Sequence, residues 1–262
     1  MKYTAGFIGA GNMGGALLSA VANQIGGENT AVFDINENQR QTISQKTGAS
    51  ILPLEQLVSE CKFIFLGVKP NVIKDVCLQI RDISGKDNTF ISMAAGIDIA
   101  SVSCALNSDK IIRIMPNTPV GVGEGLILYC TSEKVKNEQE FLDIIKGCGT
   151  VDKIDEKFID AAAALSGCGP AFVYMFIEAL ADGAVSCGLT RAKAQLYAEQ
   201  TVLGAAKLAL QSKKHPGILK DEVCSPGGTT IEGVLTLEQS AFRHAVSSAV
   251  TAAFNKTTQL KK

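Results

Sequence analysis

The residues that most constrain the fold lie near the beginning of the chain, where a β-rich run ends in a glycine-rich turn. The run Tyr3–Ile8 is followed by Gly9, Gly11 and Gly14, with the spacing Gly-x-Gly-x-x-Gly, and then by a helical segment. In this pattern the first glycine permits a tight turn, the second lets the backbone approach a pyrophosphate, and the third allows close helix–strand packing. Because free N–H groups at a helix start favour anions, the turn predicts a parallel α/β sheet that binds a dinucleotide.

Asp34 supports this prediction, because it follows Gly14 by 20 residues and ends the second predicted strand, Thr30–Phe33. An acidic side chain at this position accepts hydrogen bonds from the ribose hydroxyls of NAD. A 2′-phosphate there meets a like charge, and at ~4 Å and an effective dielectric of ~20 the repulsion is up to ~4 kcal/mol before solvent screening. Arg40, six residues on, is expected within the next helix and does not offset this charge. We therefore expect NADH to be used at least as well as NADPH.

Strand and helix signals alternate over residues 1–155, which predicts an α/β domain with a Rossmann-type, doubly wound sheet. The predicted strands are Tyr3–Ile8, Thr30–Phe33, Phe63–Leu66, Thr89–Met93 and Lys110–Ile114. The helices between them are Asn12–Gln24, Glu37–Lys46, Leu54–Glu60, Pro70–Ile80 and Ile99–Leu106. A strand–helix–strand extension is expected at Gly125–Cys130, Lys136–Lys146 and Thr150–Ile154.

Residues 156–262 are expected to form an all-α C-terminal domain, because strand signals disappear and alanine-rich stretches take over. Its helices are predicted at Lys157–Leu165, Ala171–Cys187, Arg191–Gln211 and Phe242–Thr258. Ala171–Cys187 and Arg191–Gln211 are apolar over much of their circumference, and such helices must be buried. One small domain offers too little interior, so we expect a homodimer through these C-terminal helices.

Composition argues against several classes of protein. The net charge is −1 and aromatic residues make up 6%, so neither nucleic acid nor an anionic membrane surface is an expected partner. The eight cysteines form no Cys-x-x-Cys pair and only two histidines are present, so no metal site is expected. We interpret the cysteines as reduced thiols, mostly in the core, of a cytoplasmic protein. Glycines interrupt the uncharged stretches 3–27 and 161–177, so neither a signal peptide nor a membrane helix is expected.

Three further segments follow predicted strands and are candidates for lining a nucleotide crevice, where small residues at the carboxyl ends of parallel strands are typical. They are Gly67, Val68, Lys69 and Pro70, then Ala94, Ala95 and Gly96, and then the loop Met115–Pro119 with Asn117. Ordinary turns are the alternative for the first two, and Pro70 suits the first turn of the next helix. The side chain of Asn117 can bond its own loop, or the position of the loop can place it beside a nicotinamide.

The segment Ser225–Thr230 contains two consecutive glycines before a predicted helix. Thr229 or Thr230 can cap that helix, and the glycines let successive N–H groups converge on an anion. A capped helix does not require two glycines, so a carboxylate site is favoured. His215, in an exposed turn, and His244, in the last helix, are interpreted as structural residues.

Taken in order, these segments resemble the pyrroline-5-carboxylate reductase family, whose members make proline, and the match covers nearly the whole chain. The motifs are GFIGAGNMG at 6–14, VKP at 68–70, AAG at 94–96, MPNTP at 115–119, SGCGPAF at 166–172, HPG-x-LKD at 215–221 and SPGGTTIE at 225–232. Cys168, where the family usually has serine, and Asp34 are departures.

The resemblance implies hydride transfer from NADH or NADPH to the C=N carbon of 1-pyrroline-5-carboxylate, with protonation of the ring nitrogen. It places the cofactor contacts at Ile8, Gly9, Ala10, Gly11, Asn12 and Met13, at Gly67–Pro70 and at Ala94–Gly96. It places the substrate carboxylate on the backbone of Gly228, Thr229 and Thr230, with the Thr230 hydroxyl facing the imine nitrogen as the catalytic group. It also implies interlaced dimers that can assemble further, as in a decamer of dimers.

Two other functions are alternatives for a chain that begins with a glycine-rich turn. A β-hydroxyacid dehydrogenase also joins a glycine-rich turn to an all-helical domain, but it requires a lysine where this chain has Val173, and the next turn carries Ile177. A dinucleotide-sensing module without chemistry would need a partner surface or a DNA-binding element, and would not need the Ser225–Thr230 segment.

Overall fold

The apolar runs pair into one sheet in the computed structural model of the chain, which describes residues 1–260. Its eight strands are β1 (Tyr3–Ile8), β2 (Thr30–Phe33), β3 (Ser50–Ile51), β4 (Cys61–Leu66), β5 (Thr89–Ser92), β6 (Ile111–Pro116), β7 (Gly125–Thr131) and β8 (Gly149–Lys153). They lie in the order β3-β2-β1-β4-β5-β6-β7-β8, and neighbours are parallel except β6 and β7. The predicted Rossmann-type sheet with its extension is confirmed.

Twelve α-helices connect and follow the strands within residues 1–260. They are α1 (Asn12–Ile25), α2 (Glu37–Thr47), α3 (Leu54–Glu60), α4 (Ile73–Ile80), α5 (Ile99–Leu106), α6 (Glu138–Ile145), α7 (Ile159–Ser166), α8 (Gly169–Ser186), α9 (Arg191–Ser212), α10 (Pro216–Glu222), α11 (Thr229–Gln239) and α12 (Phe242–Leu260). The prediction that Pro70 opens α4 is wrong. Pro70 lies in a turn closed by the Val72 N–H, which donates to the Lys69 carbonyl at 3.0 Å, and the helix begins at Ile73.

Alternation along the strands divides the core into two clusters, because successive side chains of a strand point to opposite faces of the sheet. Phe7 and Phe65 belong to one cluster, where their rings stack with centroids 4.4 Å apart, and the helices α1 and α6 cover it. Ile8 and Leu66 belong to the other, which α3, α4 and α5 cover. The central strands β1, β4, β5 and β6 are therefore buried on both faces, and the loops at the strand ends remain available to a ligand.

The first compact unit extends beyond the domain boundary predicted at residue 155, to Cys168, and also includes the described residues 253–260. The sheet itself ends at Lys153, close to the predicted boundary. Helix α7 nevertheless belongs with it, because Ile159 is buried against Met115 and Leu128 of the last strands. Of the domain predicted over 156–262, residues 261–262 lie outside the described part of the chain.

A buried ion pair fastens α7 to the sheet. The Arg113 side chain on β6 is 1% exposed, and its guanidinium donates to the Asp160 carboxylate at 2.8 Å and to Glu156 at 3.3 Å. Its Nε has no hydrogen-bond partner among the described residues. Burying a charge in an apolar strand costs free energy unless the charge is paired. The ion pairs with Glu156 and Asp160 offset this cost for Arg113.

The second compact unit, Gly169–Ala252, contains α8 to α11 and most of α12. Within these described residues the buried hydrophobic side chains are Ala181, Ala194 and Ala198. Large apolar side chains are exposed instead, including Met175 at 70%, Leu196 at 60% and Leu210 at 80%. Exposed apolar surface on this scale marks an interface.

One helical stretch, Glu156–Ser186, is long and apolar enough to cross a membrane by length and composition, and 11% of its most apolar window is buried. A turn at Gly167 and Cys168 divides it into α7, with 8 residues, and α8, with 18. The interruption was predicted from the glycines and the proline at 167–170.

All eight cysteines are free thiols, but fewer of them lie in the core than predicted. Cys61, Cys77, Cys130 and Cys148 are buried, and the other four are exposed or half-buried. Burial raises the pKa of the Cys61 thiol to about 12 and that of Cys148 to about 11, so these groups stay protonated and act as apolar side chains.

Replacement of Asp160 by Asn tests the ion pair. Since Asp160→Asn leaves the buried Arg113 without its closest counter-charge, we expect the free energy of unfolding to fall by about 3 kcal/mol in urea denaturation. Asp143→Asn is the control, because its pair with Lys146 is long, at 3.9 Å, and exposed. It should change the free energy by less than about 1 kcal/mol. Equal, small effects of the two substitutions would contradict a structural role for the pair.

Candidate functional site

The carboxyl ends of five strands bring the predicted cofactor residues to one edge of the sheet. In the pairing register Ile8 lies beside both Phe33 and Leu66, and Leu66 lies beside Ser92. The loops after β2, β1, β4 and β5 are therefore consecutive neighbours, and the loop after β6 follows them. This is the edge at which open α/β sheets bind nucleotides.

The two glycines that begin the turn after β1 are required for different reasons. Gly9 has φ +100°, and a Cβ there would lie 2.6 Å from the Gly67 carbonyl oxygen, so the fold itself demands glycine. At Gly11 a Cβ would have no atom within 4 Å. Nothing in the described residues explains glycine at this position, but a pyrophosphate resting on the backbone would. The turn thus fits the dinucleotide that the sequence predicts.

Helix α1 begins directly after this turn with donors suited to phosphate. Its N-cap is Gly11, which supplies no side-chain cap, and its first turn contains no acidic residue. Because the first N–H groups of a helix lack partners within it, those of Asn12 and Met13 are free to bind an anion. The predicted cofactor contacts at Gly11, Asn12 and Met13 therefore lie together at the start of α1.

The loops after β4 and β5 can contact a ligand mainly through their backbone atoms. The Gly67 N–H donates to the Ile8 carbonyl at 2.8 Å, which ties this loop to β1. Val68 and Gly96 are half-buried, whereas Lys69, Pro70 and Ala95 are exposed. The side chain of Ala94 is in the core, so that residue can contact a ligand only through its backbone.

Asp34 follows β2 as predicted, but its carboxylate is hydrogen-bonded within the protein. Its carboxylate accepts a hydrogen bond from the Ala10 N–H at 2.6 Å and another from the Asn36 N–H at 2.8 Å, and the residue is 9% exposed. The expectation that no arginine lies beside it is wrong, since the Arg40 guanidinium donates to the Asp34 carbonyl at 3.1 Å. One turn of α2 brings Arg40 back over the β2 end, which the helical period could have indicated. Because the Arg40 guanidinium partly compensates the charge of Asp34, the repulsion of a 2′-phosphate is weaker than the sequence predicts.

Asn117 has its side chain fully engaged within the protein. Its amide NH₂ donates to the Ser166 carbonyl at 3.0 Å, and its amide oxygen accepts from the Leu126 N–H at 2.9 Å. The residue is 9% exposed. These bonds, together with the Val120 N–H that donates to the Asn117 carbonyl at 3.2 Å, favour the structural interpretation of the MPNTP loop.

The segment predicted to hold the substrate carboxylate lies in the second unit. Helix α11 begins at Thr229 with Gly228 as its N-cap and no side-chain cap, so the alternative in which Thr229 or Thr230 caps the helix does not apply. The Gly228 N–H donates to the Ser225 carbonyl at 3.0 Å. The free donors are therefore those of the first helical turn, beginning with Thr229 and Thr230.

Both threonine side chains are exposed in the first turn of α11. Neither hydroxyl has a hydrogen-bond partner within residues 1–260. Since these hydroxyls serve no evident structural purpose, they are available to a ligand at the helix N-terminus, together with the adjacent N–H groups.

The two histidines have structural surroundings. His215 is the N-cap of α10, and its Nδ1 accepts a hydrogen bond from the Gly217 N–H at 3.1 Å. His244 is exposed on α12, with Ser248 Oγ 3.5 Å from its Nε2. These contacts support the structural interpretation of His215, and within residues 1–260 neither imidazole is hydrogen-bonded to another titratable side chain.

Comparison with known proteins places the whole chain in one family. Residues 156–260 match the family described as pyrroline-5-carboxylate reductase dimerisation, and residues 4–96 match NADP oxidoreductase, coenzyme F420-dependent. The pyrroline-5-carboxylate reductase of Escherichia coli (strain K12) is 39% identical, covering 100% of both chains. That of Pisum sativum is 38% identical, covering 99% of this chain and 96% of the relative.

The fold agrees with this similarity. The crystal structure of Plasmodium falciparum pyrroline carboxylate reductase with NADP bound has a TM-score of 0.90 to this chain, at 33% identity and with 100% of each chain covered. That from Coxiella burnetii has a TM-score of 0.87 at 34% identity, again with 100% of each chain covered. The chain belongs to the pyrroline-5-carboxylate reductase family.

Proposed function

We propose that this protein reduces 1-pyrroline-5-carboxylate to L-proline with a hydride from NADH or NADPH, the last step of proline biosynthesis. The observation that carries the proposal is similarity over the full length of the chain, in both sequence and fold, to pyrroline-5-carboxylate reductases. The alternative of a β-hydroxyacid dehydrogenase is not favoured, because Val173 and Ile177 stand where its lysine is needed.

The residues of the first unit bind and orient the dinucleotide. The N–H groups of Asn12 and Met13 hold the pyrophosphate at the start of α1, over the bare backbone of Gly11. The loops at Gly67–Pro70 and Ala94–Gly96, with the backbone at Asn117, complete the predicted contacts along the same sheet edge. When bound, the nicotinamide supplies the hydride. The chain's contribution is positioning, which can provide a large part of a rate enhancement.

The residues of the second unit hold the substrate. The N–H groups of Thr229 and Thr230 receive its carboxylate at the N-terminus of α11, where the helix dipole favours negative charge. The Thr230 hydroxyl faces the imine nitrogen. A hydroxyl can donate to a neutral imine or accept from a protonated one, so it suits either form of the substrate. Because hydride addition changes the charge on nitrogen, an oriented partner there favours the transition state.

A homodimer through the C-terminal helices accounts for the exposed apolar side chains of the second unit. Phe172, Phe176, Phe242 and Val246 line one apolar cavity of about 440 Å³ within that unit. The match of residues 156–260 to a dimerisation family supports a second copy as the covering partner. The partner would also cover the apolar stretch Glu156–Ser186, so that no membrane is required. Further assembly of dimers into a decamer and a cytoplasmic location remain predictions.

The deciding assay follows NADH or NADPH consumption by the purified protein with chemically prepared 1-pyrroline-5-carboxylate. We expect turnover with both cofactors, and the ratio of their kcat/KM values tests the preference for NADH expected from the sequence. No oxidation of either cofactor would contradict the proposed function. A tenfold advantage for NADPH would contradict only the predicted preference for NADH.

Thr230→Ala is expected to lower kcat/KM for the imine about 100-fold, because one oriented hydrogen-bond partner is lost from the reacting nitrogen. The Kd for the cofactor should stay unchanged. Thr229→Ala, which keeps its backbone N–H, should have a smaller effect, and Thr230→Ser should restore most of the activity. A fully active Thr230→Ala would contradict the assignment of Thr230.

Gly11→Ala separates ligand binding from stability. The added methyl group meets no protein atom, so the melting temperature should not change, while the Kd for NADH rises tenfold or more, at least roughly 1.4 kcal/mol. Gly9→Ala is the contrast, because a positive φ and the Gly67 carbonyl oppose a side chain there. It should lower the free energy of unfolding by about 1 to 3 kcal/mol. Normal NADH binding by a folded Gly11→Ala protein would show that the pyrophosphate lies elsewhere.

A further inference from the structure

The carboxyl ends of β1, β2, β4, β5 and β6 form one edge of the sheet, the cofactor edge. The carboxylate of Asp34 lies between two backbone turns at this edge. Its Oδ2 accepts from the Ala10 N–H at 2.6 Å, within the glycine-rich turn after β1. Its Oδ1 accepts from the Asn36 N–H at 2.8 Å, where the chain turns from β2 into α2. Hydrogen bonds from N–H groups to an ionised carboxylate are roughly twice as strong as neutral ones, so Asp34 joins the two turns firmly.

The hydrogen bond from Ala10 to Asp34 fixes the glycine-rich turn, which binds the pyrophosphate in the proposed function. Ala10 stands between Gly9, which has φ +100°, and Gly11, which is the N-cap of α1. The Gly9 N–H also donates to the Phe33 carbonyl at 2.8 Å, so the end of β2 holds two successive N–H groups of the turn. Without the carboxylate, the buried Ala10 N–H would lose its partner and the turn would lose a fixed position.

The same geometry argues against Asp34 as the residue that selects between NADH and NADPH. Asp34 is 9% exposed, and each carboxylate oxygen already has a donor from the protein. The guanidinium of Arg40, bonded to the Asp34 carbonyl, adds a positive charge beside it. A 2′-phosphate at this place therefore meets a shielded and partly compensated carboxylate, and the repulsion between them is correspondingly weak.

We propose that Asp34 is a positioning residue, which fixes the glycine-rich turn through Ala10 and so strengthens the binding of NADH and NADPH by the same factor. This inference rests on the proposed function, because it assumes that the turn binds the pyrophosphate common to both cofactors. It differs from the role expected from the sequence, in which the carboxylate contacts the ribose and discriminates between the two.

The test measures the Kd of NADH and of NADPH for the purified protein and its variants by direct titration, with a thermal melt on each variant. Asp34→Asn keeps the shape of the side chain but cannot accept from both N–H groups, because one of its terminal atoms is itself a donor. We expect both Kd values to rise about tenfold, with their ratio unchanged within twofold. At saturating cofactor, kcat should be retained, because the reacting groups are untouched.

Glu37→Gln is the matched control. It removes one carboxylate charge three residues from Asp34, at the start of α2, but the Glu37 side chain is 68% exposed and its partners are Arg40 and Gln41 of the same helix. It should leave both Kd values within twofold of the parent protein. If Asp34→Asn fails to fold, Asp34→Glu carries the test. It keeps the charge but displaces the carboxylate by one methylene, and it should weaken both cofactors equally.

Two results would overturn the proposal. A change of tenfold or more in the ratio of the two Kd values, with NADPH gaining on NADH, would place the Asp34 carboxylate on the ribose. Unchanged Kd values with a lower melting temperature would restrict Asp34 to stability. Failure of the parent protein to bind either dinucleotide is a different outcome, because it would contradict the proposed function itself.

Discussion

The close approach of the Gly9 backbone to the ends of its neighbouring strands is the constraint on which the arrangement of the cofactor edge depends. The Gly9 N–H bonds the end of β2, and the Gly67 N–H bonds the Ile8 carbonyl at the end of β1, each at 2.8 Å. A side chain at Gly9 would collide with the Gly67 carbonyl. Because the turn is fixed on both sides, the N-terminus of α1 has one direction, and its free N–H groups are oriented before any ligand binds.

The features predicted correctly from the sequence are those with a strong local signal. Buried parallel strands appear as short apolar runs between turn residues, and the Gly-x-Gly-x-x-Gly spacing places the first of them. Strand β3 was missed because its two residues, Ser50 and Ile51, are too few for any period to be visible. The start of α4 was placed three residues early, because a proline fits a tight turn as well as the first turn of a helix.

The positions of the candidate site residues in the fold were predicted more reliably than their hydrogen bonds. Spacing alone marked Asp34 and Asn117, but the partners of their side chains depend on tertiary contacts that spacing does not encode. Thr230 shows the same limit, because a shift of the helix start by two residues turned an expected cap into a side chain free for a ligand. The ion pair of Arg113 could have been predicted. A charge in the apolar strand β6 requires an opposite charge, and Asp160 is an acidic residue in the otherwise apolar helix α7.

The two units differ in how they are held together, and this difference bears on folding. The sheet unit has its own core of large side chains on both faces of the sheet. Within Gly169–Ala252 the buried hydrophobic residues are three alanines, so most of the apolar area of this unit can be removed from water only by another molecule. Folding of the second unit is then coupled to association. In the proposed homodimer the stability of this unit depends on protomer concentration, and dilution would loosen its helices before it affects the sheet.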